Sequence, residues 1–241
     1  MPSYKRIRSI ATSYGVAIRP KKKTKRAMPA SISRMVSSSW TGPVPPKMST
    51  TLRYVEAFAL NPALSSNAQY VFSANGLFDP NITGIGHQPR GFDEMMKFYG
   101  NYCVKGCRIT IQSANNGTAM TSENIVISCY PSVTNASTVT NIWDAIEPKG
   151  CAYYTFCPGT TITTTKPNYK LSNYVNVAKW MGQATSDDNT LKGDGLSNPS
   201  VQLYWILNCF CDGTSDVTAH NFIVELEYYV EFTRNTGLFA S

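Results

Sequence analysis

The chain has 241 residues, of which 42% are hydrophobic and 15% charged, an ordinary balance for a globular protein. The charge is divided unevenly: residues 1–55 hold 12 of the 22 Lys and Arg and none of the 15 Asp and Glu, and the other residues are net acidic. The sequence contains no run near the roughly 18 apolar residues of a membrane span. Residues 10–18 are too polar for the apolar region of a signal peptide, so we expect an intracellular protein.

Residues 1–48 are predicted to form a basic arm and linker that is largely disordered, because low hydrophobicity and self-repelling charge do not offset the entropy of ordering. The proline-rich segment 41–46 is expected to stiffen the exit into the folded domain. The candidate nucleic-acid-binding residues of the arm are Lys5, Arg6, Arg8, Arg19, Lys21, Lys22, Lys23, Lys25, Arg26 and Arg34.

Their expected chemistry is neutralisation of phosphates with release of counter-ions, which does not depend on base sequence. The densest group also matches a nuclear localisation signal, formed by Lys21, Lys22, Lys23, Lys25 and Arg26. Two alternatives stay open for the arm. It could be a merely solvated tail, or it could bind an anionic membrane surface, although Ile7, Ile10 and Tyr14 give only a faint amphipathic helix.

Residues 49–241 are predicted to form one all-β domain, although a split into two domains stays open. The expected strands are 50–60, 69–74, 102–112, 124–130, 151–157, 169–177, 201–211 and 222–232. The last two show period-two alternation, which is typical of half-buried strands. The alternation places Val201 on the core face of the first, and it places Glu225, Glu227 and Glu231 on the outer face of the second. In the third, the apolar phase changes at Lys105 and Gly106, which predicts a β-bulge.

Two short helices are predicted in the connections. Phe92, Met95, Met96 and Tyr99 follow helical spacing, and a second helix at 142–146 ends before Pro148. Eight strands with helices only in connections favour a single eight-stranded jelly-roll β-sandwich of two four-stranded sheets. An immunoglobulin-like sandwich is the rival, but its connections are usually shorter than residues 75–101 and 178–199.

The sequence gives poor support to an enzyme, a metal site or a cofactor. It lacks a P-loop, a G-x-S-x-G elbow and an H-E-x-x-H motif. The seven cysteines are expected to be small buried thiols, and His87 is expected to brace a loop by a hydrogen bond. Asp187, Asp188 and Asp194 crowd one loop that could hold a divalent cation, but a solvated turn is the default.

The segment 74–94 is the most distinctive part of the folded domain. It is rich in Gly and Pro, and we expect a well-packed crossover between two strands rather than a ligand site. It resembles the capsid proteins of circular, Rep-encoding single-stranded DNA viruses, the circovirus-like group. The residues that carry the resemblance are Gly76–Pro80, Gly84, Gly86–Pro89 and Gly91–Glu94, followed by Phe98, Tyr99, Tyr102 and Val104.

The resemblance implies a jelly roll that assembles as 60 copies into a small T=1 icosahedral shell. It implies an arm that lies inside, packages circular single-stranded DNA and engages the host nuclear import machinery. The resemblance also implies that the protein is found in the virion, and in the host nucleus during assembly. It implies an unidentified receptor on the host cell, and neither a cofactor nor a membrane partner is expected. Typical circovirus capsid proteins have longer arms that are dominated by arginine. The shorter, lysine-rich arm of this chain favours its membership in a related branch of the group.

Three other functions stay open on the sequence alone. The first is a nucleic-acid-binding β-domain that forms no shell. The second is the coat protein of a small RNA virus, which shares the sandwich. The third is a hydrolase with a nucleophile activated by His87 or His220.

Overall fold

The computed structural model describes residues 44–64, 66–114, 124–156, 169–182, 188–212 and 219–235. The strands in these ranges are β1 (Lys47–Leu60), β2 (Asn67–Ser73), β3 (Tyr99–Ser113), β4 (Asn124–Ser132), β5 (Ala152–Phe156), β6 (Lys170–Asn176), β7 (Lys192–Gly193), β8 (Tyr204–Asp212) and β9 (His220–Asn235). The helices are α1 (Phe92–Phe98), α2 (Ile142–Ile146) and α3 (Val177–Met181), with a 3₁₀ turn at Asn189–Leu191.

The strands form two antiparallel sheets that pack as a jelly roll. Sheet I has the order β1-β9-β3-β6, with the two-residue β7 also paired to β3, and sheet II has the order β2-β8-β4-β5. The first long strand therefore pairs with the last and the second with the next to last, while β3 pairs with β6 and β4 with β5. This alternation of nested pairs between two sheets is the jelly-roll pattern. The predicted fold class and all eight predicted strands are confirmed.

The connections hold both predicted helices and two elements that the sequence did not indicate. Helices α1 and α2 lie where helical spacing placed them, although Tyr99 already belongs to β3. Helix α3 begins at Val177, the last residue of the predicted sixth strand, and the 3₁₀ turn lies within the predicted long insertion 178–199. In the described part of the chain, no helix is both long and apolar enough to cross a membrane.

The first strand begins three residues before its predicted start at residue 50. It starts at Lys47 and pairs with β9 along its whole length, so residues 47–60 are part of the sandwich. The hydroxyl of Tyr99 donates to the carbonyl oxygen of Pro45 at 3.0 Å, just before the strand. Lys47 and Arg53 are therefore domain residues, and ten of the twelve basic residues precede the sheet.

The core lies between the two sheets and is rich in aromatic side chains. Trp205 of β8 is fully buried, and its Nε1–H donates to the Sγ of Cys107 at 3.3 Å, which links the two sheets. The buried hydroxyl of Tyr228 donates to the carbonyl oxygen of Ser73 at 2.6 Å. Burial raises the pKa of the Cys107 thiol to about 12. The expectation of buried thiols is confirmed for five of the six described cysteines, while Cys151 is half-buried.

Strand β8 departs from the predicted half-buried pattern, because both of its faces are covered. Ile206 points away from the main core and packs with Val71 and Tyr130 in a second apolar cluster. The connection between β4 and β5 lies over this cluster, where the hydroxyl of Tyr130 donates to Ser137 at 3.0 Å. Val201, which the alternation assigned to the core face, precedes the strand and is 37% exposed.

The predicted β-bulge in β3 is confirmed. The register with β9 shifts between Val104 and Gly106, so the apolar phase moves from Tyr102 and Val104 to Cys107 and the residues after it. Gly106 is required for steric reasons, because a Cβ at this position would lie 2.5 Å from the hydroxyl of Tyr174. The bulge thus keeps both halves of β3 facing the core.

His220 is a buried histidine at the start of β9. Its Nε2 lies 2.7 Å from the hydroxyl oxygen of Ser113, and its ring packs against Phe156 and Phe222 with centroids 5.3 Å and 4.9 Å away. Burial lowers the pKa of His220 below its ordinary value of 6.5. The packing makes this a structural pair between neighbouring strands.

Acidification should therefore destabilise the domain through His220. Because the folded pKa is the lower one, the stability contributed by neutral His220 is complete above pH 6.5 and is lost as the pH falls through the folded pKa. Urea unfolding above and below pH 6.5 should show a smaller loss of stability on acidification for His220→Gln than for the wild type. The control variant His87→Gln should lose as much stability on acidification as the wild type does. Equal losses in the wild type and His220→Gln would contradict the prediction.

Candidate nucleic-acid interface

The ten arm residues predicted to bind nucleic acid, from Lys5 to Arg34, lie outside the described residues, which begin at residue 44. Their role and that of the nuclear localisation signal stay predictions. The structure does describe the strand into which the arm leads, since β1 begins at Lys47 on an edge of sheet I.

The outer face of sheet I is the surface turned away from the core, and it collects basic side chains from four strands. Strand register defines the face, because residues paired across antiparallel strands point to the same side. Glu225, Glu227 and Glu231 of β9 point outward, as their alternation predicts. The basic residues that share their side by register are Lys47, Arg53, Arg108, Lys170 and Lys192. Lys105 lies at the bulge, and its ion pair with Glu231 places it on the same side.

Each glutamate on this face has one basic partner. Arg53 lies 2.5 Å from Glu225, Lys105 lies 3.2 Å from Glu231, and Arg108 lies 3.5 Å from Glu227. Arg53 and Arg108 keep about half or more of their side chains exposed, so these are surface pairs.

Three lysines on the outer face of sheet I are additional to these pairs. Within the described residues, Lys47 and Lys170 form no ion pair, and Lys192 donates to the side-chain oxygen of Asn189 at 2.9 Å. The face therefore carries six basic and three acidic side chains. Other described side chains number five basic and eight acidic, so the positive charge is concentrated on this face.

Two tyrosines lie among these charges. Tyr174 of β6 is 48% exposed and meets Tyr229 of β9 edge to face, with ring centroids 6.0 Å apart. The guanidinium of Arg108 lies 5.8 Å from the centroid of the Tyr174 ring. Gly106 leaves room for the Tyr174 hydroxyl, as described above. Basic groups beside an exposed aromatic ring are the elements of a surface that binds single-stranded nucleic acid.

Sequence reasoning missed this surface for a definable reason. The alternation in β9 indicated that its glutamates face outward, and that signal alone suggests an acidic face. The lysines and arginines come from β1, β3, β6 and β7, and only the strand register places them beside β9.

The segment 74–94 forms the crossover that the sequence predicted, between β2 and α1. The amide nitrogen of Asn81 donates to both carboxylate oxygens of Glu56 at 3.0 Å, and the hydroxyl of Tyr54 donates to the same carboxylate. The Nε2 of His87 lies 3.1 Å from the carbonyl oxygen of Val55, so the predicted bracing hydrogen bond is confirmed. These contacts fasten the crossover to β1.

Asn198 fastens the crossover to the connection before β8. Its side-chain oxygen accepts from the backbone N–H groups of Phe78 and Asp79 at 3.0 Å and 3.2 Å, and its amide donates to the carbonyl oxygen of Asp79 at 3.2 Å. The hydroxyl of Tyr102 lies 3.3 Å from the same side-chain oxygen. One side chain thus joins two long connections and β3 at one end of the sandwich.

The described aspartates of the predicted cation loop act as turn caps. The carboxylate of Asp188 accepts from the backbone N–H and the hydroxyl of Thr190, at 2.8 Å and 2.7 Å. The carboxylate of Asp194 accepts from the backbone N–H of Leu196 and the hydroxyl of Ser197. Asp187 lies outside the described residues, and the described ones contain no group of three or more potential metal ligands.

Replacing Asn198 with alanine should loosen this end of the sandwich. The change removes all four contacts and leaves partly buried backbone groups without partners, so we expect a loss of about 2 kcal/mol in the free energy of unfolding. Urea denaturation followed by circular dichroism measures it. Asn61→Ala, at an exposed position after β1, is the matched control and should change stability little. If Asn198→Ala were as stable as this control, the side chain of Asn198 would not stabilise this end of the sandwich.

Comparison with known proteins gives weak similarities to virus structures. No family model and no curated protein matches the chain. Cocksfoot mottle virus is similar at 11% identity and a TM-score of 0.46, covering 79% of this chain and 96% of that chain. The 60-mer BFDV capsid protein is similar at 12% identity and a TM-score of 0.45, covering 81% and 97%.

The semi-empty particle of the giant freshwater prawn Macrobrachium rosenbergii nodavirus is similar at 8% identity and a TM-score of 0.46, covering 83% of this chain and 100% of that chain. Similarities at these identities and TM-scores carry no conclusion about what this chain binds.

Proposed function

We propose that this chain is a viral capsid protein that assembles into a small T=1 icosahedral shell of 60 copies. Its basic arm packages circular single-stranded DNA, and the group from Lys21 to Arg26 directs nuclear import. The observation that carries the proposal is the direct continuation of a strongly basic segment into the first strand of a jelly-roll sandwich. Jelly rolls are common in viral capsids, and a basic segment supplies the charge that a packaged genome requires.

Two further features support the proposal. Sixty arms with ten basic residues each would gather roughly 600 positive charges, a density that repels itself unless it meets a polyanion. The crossover 74–94 carries the resemblance to circovirus-like capsid proteins, and this resemblance favours a DNA genome over RNA. The proposed locations follow from the same features: the virion, and the host nucleus during assembly.

Self-assembly needs surfaces that subunits can bury, and the joined connections supply one. At the end of the sandwich fastened by Asn198, Leu196 is 83% exposed, Phe78 is 36% exposed and Val201 is 37% exposed. The backbone there is held by hydrogen bonds, as in the contacts of Asn198 with Phe78 and of Asn75 with Val201. Apolar side chains on an ordered surface are typical of protein–protein contacts.

The arm should be necessary for packaging and dispensable for folding. We expect the full chain to form uniform particles that protect nucleic acid from nuclease, and a deletion of residues 1–34 to lose that protection. The truncated domain should keep the circular dichroism spectrum and melting temperature of the full chain, because the sandwich begins at Lys47. A full-length variant with the ten arm Lys and Arg replaced by Gln separates charge from length and should fail to package as well.

Negative-stain electron microscopy, sedimentation velocity and sequencing of the protected nucleic acid give the readouts. Monomers at every salt concentration and pH would reject the shell and leave a nucleic-acid-binding domain. Protected RNA would instead favour the coat protein of an RNA virus.

A charge at the apolar end of the sandwich should block assembly. Leu196→Asp places a carboxylate where a neighbouring subunit would bury an apolar side chain, and charged groups are depleted from the centres of such contacts. We expect loss of particles by sedimentation velocity, with an unchanged circular dichroism spectrum. Leu64→Asp is the matched control: Leu64 is 46% exposed and precedes β2, whereas the surface around Leu196 lies beyond the other end of that strand. Normal particles from Leu196→Asp would exclude this surface from assembly.

A further inference from the structure

We propose that the outer face of sheet I is a second nucleic-acid-binding surface, which binds single strands through its lysines and through stacking of a base on Tyr174. This inference rests on the proposed function, because it places the folded domain as well as the arm against the packaged genome. It gives a role in binding single-stranded nucleic acid to residues of β1, β3, β6 and β7, which lie outside the arm.

The charge distribution is the first argument. The face carries six basic and three acidic side chains, while the other described side chains are net acidic. All three glutamates are in ion pairs with Arg53, Lys105 and Arg108, so the remaining three lysines give the face its net positive charge. A surface that served only solubility would not need its positive charge gathered on one side, whereas a phosphate backbone binds to such a surface.

The position of Tyr174 is the second argument. A tyrosine that is 48% exposed is held in one place by the edge of Tyr229, by the guanidinium of Arg108 and by the space above Gly106. Fixing the ring in advance reduces the entropy lost when a base stacks on it. Only unpaired bases expose the faces that such a ring can stack against, so this feature selects single strands.

The route of the chain is the third argument. Lys47, the first residue of β1, lies on the outer face of sheet I and follows the arm directly. Because the arm and this face belong to one chain, a nucleic acid bound by the arm meets the face at a raised effective concentration. The nucleic acid can then bind to this face through weak contacts, even though the glutamates compete with its phosphates for three of the basic side chains.

Binding of oligonucleotides to the full-length protein tests the proposal. The probes are fluorescent oligo(dT), oligo(rU) and a DNA duplex of equal length. Tyr174→Ala should weaken binding of both single strands by about tenfold and leave binding of the duplex unchanged. Tyr174→Phe keeps the ring and should bind like the wild type, which separates stacking from any role of the hydroxyl.

The charge contribution is tested with a matched pair of double variants. Lys170→Gln with Lys192→Gln should lower the slope of log affinity against log salt for oligo(dT) by about 1.4, since each of the two phosphate contacts on a single strand contributes roughly 0.7. The control is Arg90→Gln with Lys149→Gln, which removes the same charge from connections outside sheet I and should change the slope much less.

The outcomes distinguish this inference from the proposed function. If the wild type binds and packages nucleic acid while Tyr174→Ala and the Lys170/Lys192 variant bind equally well, the outer face is not a binding surface and the arm alone acts. If these variants lose particles but keep their affinity, the face is a contact between subunits and the proposal is overturned. Wild-type protein that forms no particles and binds no nucleic acid would reject the proposed function itself.

Discussion

The structure depends on the pairing of the first long strand with the last. Strand β1 pairs with β9 from Lys47 opposite Thr233 to Leu60 opposite His220, and β9 pairs along its other side with β3. Strand β9 therefore lies between β1 and β3, and its pairing with β1 joins segments that are separated in sequence by nearly the whole domain. Because such non-local pairings are made late and at a high entropic cost, sheet I cannot be complete until the end of the chain is present.

The same pairing decides which charges meet. The glutamates of β9 stand between basic residues of β1 and of β3, and each glutamate has a partner on one of these strands. Exposed pairs of this kind add little to stability, because water and salt screen them. Their consequence is electrostatic: the acidic stripe of β9 is neutralised, and the lysines at the two edges of the sheet leave the outer face of sheet I positive.

The two sheets use their outer faces differently. The outer face of sheet I is open and charged, whereas part of sheet II is covered by the connection between β4 and β5, which buries Ile206 in a second apolar cluster. At one end of the sandwich, Asn198 binds two connections into an ordered surface with exposed apolar side chains. The proposed shell function rests on these two surfaces together with the basic N-terminal segment.

The sequence by itself determined the strands, the bulge and the charge division. Period-two alternation located β9, the phase change at Lys105 and Gly106 located the bulge, and the acid-free N-terminal segment stood out by composition. These features are local, so a short window of sequence contains them. Only the tertiary structure decided that β1 begins at Lys47, that both faces of β8 are buried, and that the lysines of four strands share one face with Tyr174. Each of these features depends on residues that are distant in sequence. Strand register, and the burial of a sheet face under a connection, are set by which strands and connections meet in space.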